Sequence, residues 1–248
     1  ITAIILTCNN QISIGRLIRS LHWCDQILVI DDQSIDRTRA IAKKLGAKVF
    51  IRPLKDNFAA QRNFGLGQVI TDWAFFVDVD EIVTPQLARE IKSTIATSTH
   101  SAYSLRRIDI FLGKKLLFGE TGQLQLIRLA RRQAGRWHRP VHETWQVKGP
   151  VGQLKSPLYH RPHPTLAGFL DKINHYTDIE AKHRSFSLLE LFFYPPAKFI
   201  HNYVFKLGIL DGLPGLAMAL MMSLHSLLVR LKVYEKTLAG PARHPSAR

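Results

Sequence analysis

Apolar and polar positions along the first hundred residues alternate between two periods in a regular order. Thr2–Thr7 is a short β-branched apolar run, which predicts a buried strand. Ile14–Leu21 carries apolar residues at helical spacing, and Gln26–Ile30 reads as a second strand. Asp36–Leu45 predicts a helix, with Asp36 at its N-cap and Gly46 as its stop. Ala47–Ile51 predicts a third strand, Asn57–Gln68 a helix, Trp73–Val77 a fourth strand and Pro85–Ile95 a helix whose proline suits the first turn. This alternation implies an α/β fold, a mainly parallel sheet with right-handed crossovers and flanking helices. Ligands of such sheets lie beyond the carboxyl ends of the strands. Three polar clusters fall at those ends: Thr7–Asn10, Asp31–Ser34 and Asp78–Glu81.

The pattern changes after residue 100. Tyr103–Ile110, Lys115–Phe118 and Leu124–Leu129 read as short strands, and Pro157–Pro164 as a Pro/His-rich linker. From about Thr165 the chain reads as helix, with breaks at Pro195–Pro196 and Pro214. The expected organisation is one domain over residues 1–164 and a helical extension over 165–248.

Composition narrows the class. The chain has 248 residues and is 46% hydrophobic, more apolar than a disordered chain and less than a polytopic membrane protein. Two cysteines, Cys8 and Cys24, make no disulfide framework and suit a reducing, cytoplasmic setting. The chain starts at Ile1 without a methionine, which reads as trimming or a fragment, and no basic residue precedes the apolar Ile1–Leu6 as a secretory signal requires.

The net charge is +15, from 34 Lys+Arg and 19 Asp+Glu. Residues 1–100 contribute only +2, whereas the stretch 106–161 alone carries +9. Arg128, Arg131, Arg132, Arg136 and Arg139 could face nucleic-acid phosphates, an anionic acceptor or anionic headgroups. No zinc-finger, helix-turn-helix or RNP-like pattern accompanies them, so nucleic acid is not expected. Gly212–Val229 holds no Asp, Glu, Lys or Arg, near the lower limit for a membrane span. Pro214, His225 and the aromatic–basic run Phe192–Lys206 favour a helix docked on the membrane surface over a packed helix, and a packed helix over a true span.

Three carboxylate clusters carry candidate chemistry. Asp78-Val79-Asp80-Glu81 directly follows an apolar strand, where carboxylates at i and i+2 can converge on Mg²⁺ or Mn²⁺; as a structural element it would be a capped acidic turn. Asp31 and Asp32 end the second strand, where a carboxylate accepts hydrogen bonds from a base or ribose, while Asp36 reads as structural. In Pro140-Val141-His142-Glu143-Thr144-Trp145, Glu143 reads equally well as a general base with a raised pKa and as the partner of a nearby arginine. No G-x-G-x-x-G, P-loop, G-x-S-x-G elbow or zinc-ligand spacing is present.

These stretches together resemble the family-2 glycosyltransferases with the GT-A fold. The matching residues are Ile4–Asn10, Val29–Asp36, Ala60-Gln61-Arg62-Asn63-Phe64-Gly65 and Phe76–Glu81. Val141-His142-Glu143, Gly149–Gly152 and Lys206–Gly212 further resemble the lipopolysaccharide-core β-1,4-glucosyltransferase-like subfamily. The resemblance implies that Thr7 and Asn9 border the nucleotide, that Asp31 and Asp32 bind uracil or ribose, and that Arg62 and Asn63 approach the nucleotide-sugar. It implies that Asp78 and Asp80 hold a divalent cation and the diphosphate, and that Glu143 is the catalytic base, with Asp80–Glu81 as fallback. The implied activity is inverting, metal-dependent transfer of a hexose from a nucleotide-sugar, UDP-linked, to a cell-envelope glycan or glycolipid such as lipopolysaccharide core. A polyprenyl phosphate or capsule acceptor is the alternative, and sugar-phosphate nucleotidyl transfer a further one. Residues 1–100 would form the nucleotide-sugar half, residues 101–164 the acceptor half, and the extension would reach the cytoplasmic face of the inner membrane.

Overall fold

A computed structural model describes residues 1–122, 124–141, 143–162 and 165–238. His142 of the Val-His-Glu motif, and His163 and Pro164 of the expected linker, lie outside the described residues. The chain groups into two compact units: Ile1–Ile108 with Leu124–Arg161, and Asp109–Gln123 with Pro162–Arg248.

In chain order the strands are β1 Thr2–Thr7, β2 Gln26–Asp31, β3 Lys48–Ile51, β4 Trp73–Phe76, β5 Glu81–Ile82, β6 Ala102–Phe111, β7 Lys114–Lys115, β8 Leu124–Arg131, β9 Gly135–His138, β10 Thr144–Val147, β11 Val151–Gln153 and β12 Leu158–His160. The α-helices are α1 Ile14–Ser20, α2 Thr38–Lys44, α3 Phe58–Gly67, α4 Pro85–Thr97, α5 Leu166–Glu180, α6 Leu188–Ile200 and α7 Leu213–Leu238.

The first unit is built on a sheet of order β3-β2-β1-β4-β8-β6-β12-β5. Its β3-β2-β1-β4 half is parallel, and β8 joins β4 antiparallel. The parallel half buries both faces, so its strands are apolar without alternation. Ala3, Ile5, Val29, Phe75 and Val77 pack with Leu17, Ile18, Leu87 and Ile91 of α1 and α4. Ile4, Leu28, Ile30, Ala74 and Phe76 pack on the opposite face with Ala59 and Leu66 of α3 and with Trp137 and Trp145 of the β9–β10 hairpin. A Cβ on Gly65 would lie 2.8 Å from Ile4 Cγ2 and 3.1 Å from Ile30 Cγ1, so only glycine lets α3 sit this close to the sheet. Gly46, at φ 85°, ends α2 in the left-handed region.

Several expected boundaries move for local reasons. Asp36 lies outside α2, where its carboxylate accepts from Thr38 N and Gln11 N and ties two loops together. The strand expected over 115–118 is reduced to β7, because the N–H groups of Leu117 and Phe118 donate to the Asp211 carboxylate instead of a strand partner. Leu158–His160, expected in a linker, is a strand paired with β5, and Leu158 and His160 are buried. The β9–β10 hairpin was not expected at all.

In the second unit α5 and α7 pack with the segment 109–122 around Phe111, Leu116, Phe169, Ile173 and Met218, and α6 packs against α7. Helix α6 continues through Pro195 and Pro196 where a break was expected. Ser223 Oγ donates to the Pro195 carbonyl at 2.8 Å, and a five-residue π-helical turn, His201–Phe205, follows. Pro214 sits in the first turn of α7, the position a proline tolerates, so the break falls before it.

Candidate active site

The site lies at the strand ends of the first unit, where helix, strand and hairpin residues converge. Asp78 follows β4, and its backbone N–H donates to Glu81 Oε2 at 2.8 Å, closing a tight acidic turn into β5. Arg62 comes from α3, a helix capped by Asn57, whose side chain accepts from Ala60 N. Its guanidinium lies 4.7 Å above the Trp137 ring, so the hairpin's aromatic plate fixes its plane. Trp137 and Trp145 stack at 5.3 Å, and Phe76 meets both edge-on.

Two arginines link three carboxylates there. Arg62 Nη2 donates to Asp78 Oδ1 at 2.9 Å, and Arg62 Nε donates to Glu143 Oε1 at 2.8 Å. Arg128 Nη2 donates to the other Asp78 oxygen and, at 2.9 Å, to Glu81 Oε1. Both arginine side chains are only 5% exposed and that of Glu81 is fully buried, so the cations and carboxylates compensate one another inside the protein. Burial opposes ionisation of Asp78, but the charges and hydrogen bonds of Arg128 and Arg62 outweigh it and hold the carboxyl far below the usual range. Burial and the neighbouring Asp78 charge push Glu81 up, against the pull of Arg128. Arg128, although desolvated, is held more firmly protonated by Asp78 and Glu81.

The expected site residues separate into groups. Arg62, Asp78 and Glu143 are brought together. Asp80 lies two residues on, with His160 Nε2 of β12 3.4 Å from its carboxylate. A second group sits at the ends of β1 and β2, where Thr7 pairs with Asp31. Asn9 N donates to Ser34 Oγ, Asn9 Oδ1 accepts from Ile35 N, and Asp32 Oδ1 accepts from Leu54 N. Asp31 is wholly buried; its Oδ2 accepts from Ser34 N, while its Oδ1 has no hydrogen-bond partner. Asn63 turns away and clamps the hairpin, donating to Trp137 O and accepting from Trp137 N.

Glu143 thus has the arginine partner that was one of its two readings, and the partner is Arg62, which no basic cluster suggested. Arg128 is a correction in the other direction: expected on a basic face, it is buried at the centre of the site. Arg131 and Arg132 are exposed but hold Ser98 O and Val69 O. Arg128 and His160 were missed as site residues. A readable signal for Arg128 was a lone cation within the apolar run Leu124–Ala130, because a charge inside a buried strand requires a buried partner.

A parallel sheet with carboxylate turns at its strand ends places the site where α/β enzymes bind their ligands. The model of the glycosyl transferase family 2 matches residues 2–144, more than half of the chain, and the protein belongs to that family. The chain is 28% identical over 251 residues to the lipopolysaccharide core biosynthesis glycosyltransferase LpsC of Rhizobium meliloti, covering 95% of this chain and 92% of that protein. It is 27% identical over 198 residues to an uncharacterised glycosyltransferase of Rickettsia conorii, covering 73% and 69%. Among solved structures, S. aureus TarS (residues 1–349) shares the fold, with a TM-score of 0.50 at 13% identity over 98% of this chain and 92% of that one.

Proposed function

We propose that this glycosyltransferase moves a hexose, with inversion, from a UDP-sugar to a cell-envelope glycan such as lipopolysaccharide core, in the cytoplasm. The carrying observation is that one buried guanidinium, Arg62, holds Asp78 with one nitrogen and Glu143 with another. A carboxylate for the acceptor hydroxyl and a carboxylate of the donor side are thereby fixed in one frame. Similarity to LpsC over nearly the whole chain supports the class of acceptor.

Each residue has a chemical part in this reading. Asp31 Oδ1, a buried acceptor without a partner, suits the imide N–H of uracil or a ribose hydroxyl. Glu143 accepts the proton of the attacking acceptor hydroxyl; Arg62 occupies Oε1 and so orients the carboxylate. Asp78 has both oxygens engaged by guanidinium groups, and with Glu81 it shapes the turn that presents Asp80. Among the described residues no cluster of three or more His, Cys, Asp or Glu side chains is arranged to hold a metal ion. Mg²⁺ or Mn²⁺ needs only one or two protein carboxylates when a diphosphate and waters supply the rest, and Asp80 meets that requirement, with His160 Nε2 3.4 Å away to orient it. The cation would neutralise the charge that develops on the departing diphosphate.

A screen of UDP release over a panel of sugar nucleotides, with and without Mn²⁺, tests this function directly. Release that depends on a lipopolysaccharide-core acceptor supports it. Absence of release from every UDP-sugar, in a folded and metal-supplemented protein, rejects the donor assignment.

A further inference from the structure

The second unit carries most of the apolar surface. Of the twenty-six exposed large hydrophobic residues among the described residues, twenty-one belong to it. Many of them lie, in similar numbers, on α6 and in the turn that follows it before α7. Phe205 is 74% exposed, Leu213 73%, Leu210 58% and Ile209 53%. Two leucines adopt left-handed backbone, Leu112 at φ 48° and Leu207 at φ 58°, a conformation that a branched side chain disfavours, and both side chains are about half exposed or more.

Hydrogen bonds join these segments into one patch. Asp211 accepts from Leu117 N and Phe118 N, Lys114 Nζ donates to Asp211 O at 2.8 Å, and Gly119 N donates to Lys206 O at 2.9 Å. The hairpin residues Leu112 and Leu117 are therefore tied to the turn that shows Leu207, Ile209, Leu210 and Leu213.

Beside the unit's apolar cluster, this part also buries polar groups while large apolar side chains face outward. Buried inside the unit are Asn202, Asp211, Ser226 and Arg230, the last bonded to Ser226 and Glu190. Water rewards the opposite arrangement, with apolar groups inside. Charge selects the occupant. Lys114, Lys115 and Lys206 border the patch; Asp109 and Asp211 are buried, and the exposed Glu120 beside it is paired with Lys198 at 2.8 Å. Apolar side chains ringed by lysines match an anionic bilayer interface, with the apolar groups in the acyl boundary and the lysines among the headgroups.

We infer that the turn 205–213 together with the 112–117 hairpin is a membrane-docking surface that inserts shallowly into anionic lipid. This places lipid contact at the α6–α7 turn and the first residue of α7, not along the whole α7 helix that sequence favoured. Helix α7 has the length and apolarity of a span, but a third of its most apolar stretch is buried inside the protein.

Flotation of the full chain with phosphatidylcholine vesicles, with and without phosphatidylglycerol, tests this. Binding to the anionic vesicles that weakens with salt is expected. Ile209→Glu with Leu210→Glu should reduce it at least tenfold, and Lys206→Glu by roughly fivefold or more, since each surface lysine contributes on that order. Donor hydrolysis in solution should stay unchanged in these variants, so a failed docking surface and a failed catalytic assignment are told apart. Three results overturn the inference: no binding of the parent chain to either vesicle, variants that float as well as the parent, or a concentration-dependent oligomer of the parent that the Glu variants dissolve. The last would make the patch an interface between copies.

Discussion

The two units of this chain solve opposite burial problems. The first has apolar faces on both sides of its sheet and gathers buried charge at one place, the strand ends, where five ionisable side chains neutralise one another. The second has a smaller apolar cluster, uses single polar groups as internal staples and leaves large apolar residues outside. In the first, the charges around Arg62 and Arg128 serve chemistry and are coupled to one another. In the second, polarity inside serves connection, one staple at a time. Substitutions in the first should therefore spread to several partners, and those in the second should stay local.

The largest effect should be on turnover. Asp80→Ala should abolish metal-dependent transfer, and Glu143→Gln should reduce it by about 10²–10⁴-fold, with a smaller loss of stability than Arg128→Ala because Arg62 keeps Asp78. Full turnover of a folded Glu143→Gln enzyme would leave the first unit's charges without the chemical role assigned to them.

Next in size is Arg128→Ala, which leaves Glu81 without its cation and Asp78 with Arg62 alone, and should cost about 3–5 kcal/mol in urea unfolding. The matching staple of the second unit is Asp211. Asp211→Ala leaves the amides of Leu117 and Phe118 without their acceptor and should cost about 1–3 kcal/mol. If Asp211→Ala proves the costlier of the two, the contrast between a coupled network and separate staples is wrong.

Acid should expose the same network. The Asp78 carboxyl is held below its ordinary value, so the stability it contributes is present at neutral pH and is lost only as pH falls below about 4 toward the depressed value. Asp78→Asn should be less stable than the parent at pH 7, and the gap should narrow on acidification. A gap that stays constant between pH 7 and pH 2 would show that Asp78 acts through shape and not through charge.

The smallest expected effect separates two glycines of one helix. Gly65→Ala forces a methyl against Ile4 and Ile30 and should cost about 1–3 kcal/mol. Gly67→Ala meets nothing within 4 Å and should be neutral or slightly stabilising. Equal melting points would mean that α3 can shift on the sheet, and that Arg62 is less firmly placed than its contacts suggest.

Much of the first unit was legible in the sequence. Continuous β-branched runs separated by helical periods fix a parallel sheet, because a strand buried on both faces cannot accommodate polar alternation. The three polar clusters appeared at the strand ends as expected, and Asp36 was structural. The hairpin β9–β10 was invisible because Gly135–His138 and Thr144–Val147 are short and their aromatic residues serve a face that forms only when α3 and β4 are in place. The proline positions misled for a related reason. A proline signals a lost hydrogen bond, but whether the helix ends there depends on neighbours such as Ser223, which are distant in sequence.

By itself, the sequence determined the fold class, the family and the acidic residues that end β2 and β4, because these depend on local periodicity and on short motifs. Only the tertiary structure decided the partners. Arg62 and Glu143 are 81 positions apart, and Arg128 and Asp78 are 50 apart. Charge counting placed Arg128 on a surface, and folding buried it, because a cation within an apolar strand is stable there only when carboxylates from another strand meet it. The same holds for the second unit: composition showed that its tail was apolar, but which apolar residues face outward was settled by the polar staples that hold its turn together.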